Sequence, residues 1–97
     1  MIKIKAKIYI YKHKAKKSFF VDGYRPAFCF DEDKSNFFTG HIELINQDKF
    51  DKGTLSDVYI TFTNKNLVTN YIKIGQTFSI NEPPNEIGEG EIIEIFR

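Results

Sequence analysis

Apolar and polar residues alternate with a period of two over most of this chain. Ile2, Ile4, Ala6, Ile8 and Ile10 fall on one side of the first segment, and Lys3, Lys5, Lys7, Tyr9 and Tyr11 on the other. That is the pattern of a half-buried strand. Residues 13–17 form a basic connection, and Phe19 and Phe20 return to apolar sequence. Gly23 punctuates the approach to residues 24–30, where Tyr24, Phe28 and Phe30 share a side. Residues 31–36 read as a polar turn, and a strand is predicted over 38–45 with Ile42 and Leu44 inward. After a charged turn at 46–53, Val58, Ile60 and Phe62 alternate with Tyr59, Thr61 and Thr63, a mixture suited to a strand. Residues 72–74 and 77–80 predict a short strand pair, or one strand interrupted at Gly75. Residues 82–85 form a stiff turn, because consecutive prolines fix φ and donate no amide hydrogen. The last strand, 90–96, breaks alternation at Ile92 and Ile93, which predicts a bulge or burial on both faces. No stretch of helical length carries i, i+3, i+4, i+7 apolar spacing. About six short strands separated by turns predict an all-β barrel or sandwich, and closure into a barrel leaves no open edge.

Composition narrows this picture. The 97 residues, 41% hydrophobic and 28% charged, suit one domain spanning 1–97. The single cysteine, Cys29, cannot make an internal disulfide, so the fold does not depend on an oxidising compartment. No run of about 18 apolar residues exists, so no membrane span is expected. The first residues alternate charge with apolarity instead of forming a secretory signal, and a cytoplasmic location is the expectation. A formal net charge of +1 gives no global drive toward nucleic acid or membrane. Charge is nevertheless uneven. Seven lysines lie within the first 17 residues, and Glu82, Glu86, Glu89, Glu91 and Glu94 follow one another near the end. The two ends are therefore expected to be neighbouring strands whose outer faces pair opposite charges. A phosphate-binding patch is the competing explanation.

Candidate chemistry is sparse. His13 and His41 lack a cysteine, histidine or carboxylate at metal-ligand spacing. Cys29 lacks the helix N-terminus or cationic neighbour that lowers a thiol pKa, which favours packing over nucleophilic work. Asp31-Glu32-Asp33 lacks the frame of a calcium loop and reads as a solvated turn. No phosphate-cradling G-x-x-x-x-G-K-[ST] motif is present, and Gly88-Glu89-Gly90 is too short for a dinucleotide fingerprint. These glycines are expected to relieve crowding. The chain is expected not to be an enzyme and to need no cofactor, metal or nucleotide.

Four blocks in order carry a resemblance: I-K-A-K-I-Y-I-Y at 4–11, F-F-V-D-G-Y-R-P-A-F-C-F at 19–30, T-G-H-I-E-L at 39–44 and F-S-I-N-E-P-P-N-E-I-G-E-G at 78–90. Together they resemble the C-terminal barrel, the third domain, of the translation elongation factor Tu family, with Gly23, Tyr24, Arg25 and Pro26 as the sharpest part. The resemblance covers nearly the whole chain and implies a six-stranded antiparallel closed β-barrel. These 97 residues match neither the GTPase domain nor the middle barrel of that family, and Asn64-Lys65-Asn66-Leu67 lacks the aspartate of the guanine-reading N-K-x-D.

In that family the barrel helps hold the backbone of aminoacyl-tRNA. Here the corresponding loop differs. The family's arginine before E-G-G is Asn81, its two glycines are Pro83 and Pro84, and Glu82 persists. The resemblance therefore implies a binding module whose protein contacts outlast its RNA contacts. Gly23, Tyr24, Arg25, Pro26 and Glu82 are the candidate partner-binding residues, although turn geometry alone also explains the Gly and Pro. The expected partner is a protein linked to translation, for example a toxin or factor that recognises elongation factor Tu, in the manner of an immunity protein. The alternatives are a tRNA- or RNA-binding accessory protein using Lys12, Lys14, Lys16 and Lys17, or a remnant of a split translation factor.

Overall fold

Ile2–Ile10 forms β1, whose apolar residues all point inward as the alternation requires. The computed structural model of the chain describes residues 1–13 and 19–96. Further along are β2 (Phe19–Phe20), β3 (Ala27–Phe30), β4 (Phe38–Leu44), β5 (Phe50–Asp51) and β6 (Leu55–Phe62). A short helix α1 (Lys65–Val68) runs into a 3-10 turn at Thr69–Tyr71, followed by β7 (Thr77–Glu82) and β8 (Asn85–Phe96). Six strands close into an antiparallel barrel in the order β1-β6-β4-β3-β7-β8, and β2 pairs with β5 outside it. The predicted closed barrel is thus the architecture found. No described helix is long and apolar enough to cross a membrane.

The interior is built from isoleucine and phenylalanine. Phe28, Phe30, Phe62 and Phe78 are fully buried. Phe28 meets Phe62 and Phe78 edge to face at 5.3 and 5.6 Å, the arrangement that aromatic quadrupoles favour. Such rings fit because two inward positions lack a side chain. A Cβ on Gly90 would lie 2.5 Å from Phe78 Cζ, and one on Gly40 would sit 3.1 Å from Phe62 Cδ1. The expectation that Gly90 relieves crowding is met.

Strand β1 lies between β6 and β8, so the lysine-rich and glutamate-rich ends are neighbours, as their charges suggest. Lys5 stands opposite Glu94, and Lys7 opposite Glu91. The ion pairs, however, run elsewhere: Lys7 Nζ is 3.1 Å from Asp57 on β6, and Lys3 Nζ is 3.8 Å from Glu43 on β4. The adjacent isoleucines do mark a bulge. The register shifts between Lys5 and Ala6, leaving Ile93 without an opposite residue while Ile92 stays inward.

Two expectations need correction. Residues 72–74 are not a strand. Helix α1 and the 3-10 turn precede them, and the buried Val68 and Ile72, four residues apart, join the hydrophobic core. That apolar pair is too short to register as helical periodicity. The last strand begins at Asn85 instead of Gly90, because the turn after Glu82, which includes a cis Pro83–Pro84 bond, is tight enough for Glu82 to pair with Asn85.

Candidate functional site

The segment 22–26 lies where the barrel wall is thinnest. β3 and β4 share only the pairs Ala27–Thr39 and Phe28–Phe38. Beyond Thr39 the edge of β4 is met by the approach to β3. Gly23 N–H donates to the Ile42 carbonyl at 2.9 Å, and Ile42 N–H donates to the Tyr24 carbonyl at 2.8 Å. Leu44 N–H donates to Asp22 Oδ1 at 2.5 Å. Gly23 adopts φ +87°, a left-handed conformation that glycine takes without penalty. The side chain of Pro26 is buried while Arg25 is exposed, and the guanidinium makes no ion pair among the described residues.

Tyr24 connects this segment to the opposite side of the site. Its ring packs on Phe20 at 4.7 Å, and Phe20 in turn packs on Phe50. Its hydroxyl donates to Glu82 Oε2 at 2.7 Å. Burial, and then the Glu82 carboxylate, push the hydroxyl's ionisation well above the ordinary tyrosine range. The structure therefore joins two candidate residues that lie far apart in sequence. At the same hairpin, Tyr11 donates to Glu86 Oε2 at 2.7 Å, and its hydroxyl is likewise pushed up, by burial first and by Glu86 next. Asn81 is buried, its Nδ2 donating to Ser79 Oγ on the same face of β7 at 2.9 Å.

Lys12 is exposed, with its aliphatic stem lying over Gly53. Lys14, Lys16 and Lys17 lie outside the described residues.

Cys29, Asp33 and His41 lie outside the 22–26 segment and the hairpin. Cys29 is buried, its thiol approaches the Asp33 carbonyl at 3.7 Å, and burial raises its pKa. Asp33 accepts hydrogen bonds from the Tyr71 hydroxyl at 2.6 Å, from Asn36 and from Ser35. These donors, Tyr71 foremost, hold its carboxyl well below the usual carboxylate range. His41 is half-buried with Nδ1 unpartnered. Among the described residues no group of three His, Cys, Asp or Glu is placed to hold a metal ion.

Sequence reasoning missed the outer wall. There Tyr9, Leu55 and Ile93 line a groove of about 520 Å³ with Lys7, Glu89 and Glu91 at its rim. The adjacency of Ile92 and Ile93 was the one signal that could have pointed to it. No family model matches the chain, and no curated protein matches it.

Proposed function

We propose that this chain is a non-catalytic binding module, built like the C-terminal barrel of elongation factor Tu, that engages a protein partner linked to translation. A toxin or factor that recognises elongation factor Tu is the concrete class, with this module acting in the cytoplasm in the manner of an immunity protein. The observation that carries the choice of protein over RNA is the hydrogen bond between Tyr24 and Glu82. It locks the 22–26 segment and the β7–β8 hairpin into one surface, and that surface is anionic. Glu82, Glu86 and Glu89 stand along it, Pro83 and Pro84 offer no amide, and Asn81 is committed to Ser79. A phosphate backbone brought to this hairpin meets carboxylates where it needs donors. A protein partner with exposed cations meets complementary charge.

The RNA alternative rests on Lys12, Lys14, Lys16 and Lys17. Two measurements separate the readings. Affinity capture from the native host at moderate salt, followed by mass spectrometry, is expected to retain a translation-linked protein, and reversing the hairpin's charge with Glu86→Lys and Glu89→Lys is expected to release it. A tRNA gel shift near 50 mM salt is expected to show no complex. Salt-sensitive tRNA binding with a slope of about −0.7 to −0.9 per neutralised phosphate, without a captured protein, would replace the first reading by the second. Combining Asn81→Arg with Pro83→Gly is expected to raise tRNA affinity, since it restores a guanidinium and an amide to the hairpin.

A further inference from the structure

We propose that the outer-wall groove across β6, β1 and β8 docks a cationic segment of a protein partner through an aliphatic anchor. The inference rests on the binding-module reading and adds the chemistry of the partner. The groove measures about 520 Å³, within the range of clefts that seat ligand groups. Its apolar lining comes from Tyr9, Leu55 and Ile93. Leu55 and Tyr9 are cross-strand partners, and Leu55 is 68% exposed in a wall whose other outward positions are mostly charged or hydroxylated. Ile93 joins them because the bulge in β8 leaves it unpaired and half-buried.

Charge at the rim chooses the occupant. Glu89 stands opposite Tyr9, and Glu91 opposite Lys7. Lys7 is held by Asp57 at 3.1 Å, whereas Glu89 and Glu91 make no ion pair among the described residues. The anionic line continues past the groove to Glu86 and Glu82. Nucleic acid and anionic lipid are repelled by such a rim, and a lysine- or arginine-bearing segment is drawn to it.

The same wall already displays the contact that such a segment would make. Lys3 Nζ sits 4.4 Å from the centroid of the Tyr59 ring and 3.8 Å from Glu43, and Tyr59 and Glu43 are cross-strand partners. Tyr9 and Glu89 repeat that tyrosine–glutamate pair on β1 and β8. Tyr11 adds a second ring 6.1 Å away. A cation supplied by a partner would occupy the place over Tyr9 that Lys3 occupies over Tyr59. Its aliphatic neighbour would enter between Leu55 and Ile93.

The test is a titration of the isotope-labelled full chain, followed by amide NMR, with a peptide of about nine residues alternating arginine and leucine. Saturable shifts centred on Tyr9, Leu55 and residues 89–93 are expected. Leu55→Ala, a change at an exposed position, is expected to weaken binding about fivefold. Glu89→Gln with Glu91→Gln is expected to weaken it about tenfold and flatten its salt dependence. An alternating glutamate–leucine peptide is expected to leave the spectrum unmoved. Absence of saturable shifts in the groove up to roughly millimolar peptide would overturn the proposal, as would equal binding of an all-arginine peptide. Saturable shifts centred elsewhere on the barrel, away from Tyr9, Leu55 and residues 89–93, would remove the groove and leave the module reading standing. Binding of tRNA to the same wall would remove both.

Discussion

Strand β1 and the pair β3–β4 hold the barrel closed by different means. β1 is bonded along its length, with eight residue pairs to β6 and eight to β8. β3 and β4 meet through two pairs, and the remaining edge of β4 is covered by three hydrogen bonds, one donated by Gly23 and two accepted by Asp22 and Tyr24. The first wall follows from alternation, which any sequence of similar pattern would supply. The second seam depends on particular groups: a glycine at positive φ, a carboxylate that accepts from Leu44, and a tyrosine anchored on Glu82. The Gly-Tyr-Arg-Pro stretch is therefore a structural closure first. Of its four residues, Arg25 carries an exposed side chain that makes no ion pair among the described residues.

That contrast can be broken at graded strengths. Phe28→Ala opens a cavity beneath the thin seam and is expected to destabilise by about 3–5 kcal/mol, read from denaturant unfolding. Such a loss takes much of the roughly 5–15 kcal/mol that a domain of this kind possesses. Gly90→Ala attacks the continuous wall instead, driving a methyl toward Phe78 and Ile8, and about 1–3 kcal/mol is expected from overpacking. Asp22→Ala leaves Leu44 N–H without its acceptor and is expected to lose about 1–2 kcal/mol, confined to the seam. Tyr24→Phe removes the hydroxyl from the half-buried Glu82 contact for about 1 kcal/mol.

Tyr24→Phe also alters the pH profile. An unfolded tyrosine ionises near pH 10, and the native hydroxyl ionises higher. Its stabilising contribution is thus complete below about pH 10 and is lost as pH rises toward the native value. The variant is expected to unfold less steeply in alkali. Asp33 acts in the opposite direction. Its native pKa is depressed, so its contribution is present above the unfolded value of about 3.9 and is lost as pH falls further. Asp33→Asn is expected to flatten the acid limb of the same profile. The smallest effect is expected at Lys7→Ala on the long wall. Its ion pair with Asp57 is exposed, and less than about 1 kcal/mol is lost.

Most of the barrel was legible because period-two burial needs only near-neighbour information. Ile2 through Ile10, Val58 through Phe62, and the bulge at Ile92–Ile93 all announce themselves in the sequence. Helix α1 was not legible, since Val68 and Ile72 supply a single apolar repeat that looks the same as a loop. The site was legible in part. Gly23 and Pro26 mark a turn by their chemistry, and Tyr24 and Glu82 were both singled out. Their hydrogen bond spans 58 positions and depends on the barrel bringing β3 beside β7. The groove was least legible, because Leu55, Tyr9 and Ile93 come together only through register and a shift in it.

Residue-resolved native-state hydrogen exchange on the wild-type chain tests the central contrast most directly. The amides of Gly23, Ile42 and Leu44 are expected to exchange through a local opening of lower free energy than the amides of Ile4, Ala6 and Ile8, which wait for global unfolding. Equal opening free energies at the two sets would contradict the account, because the 22–24 closure would then be as firmly built as the continuous wall.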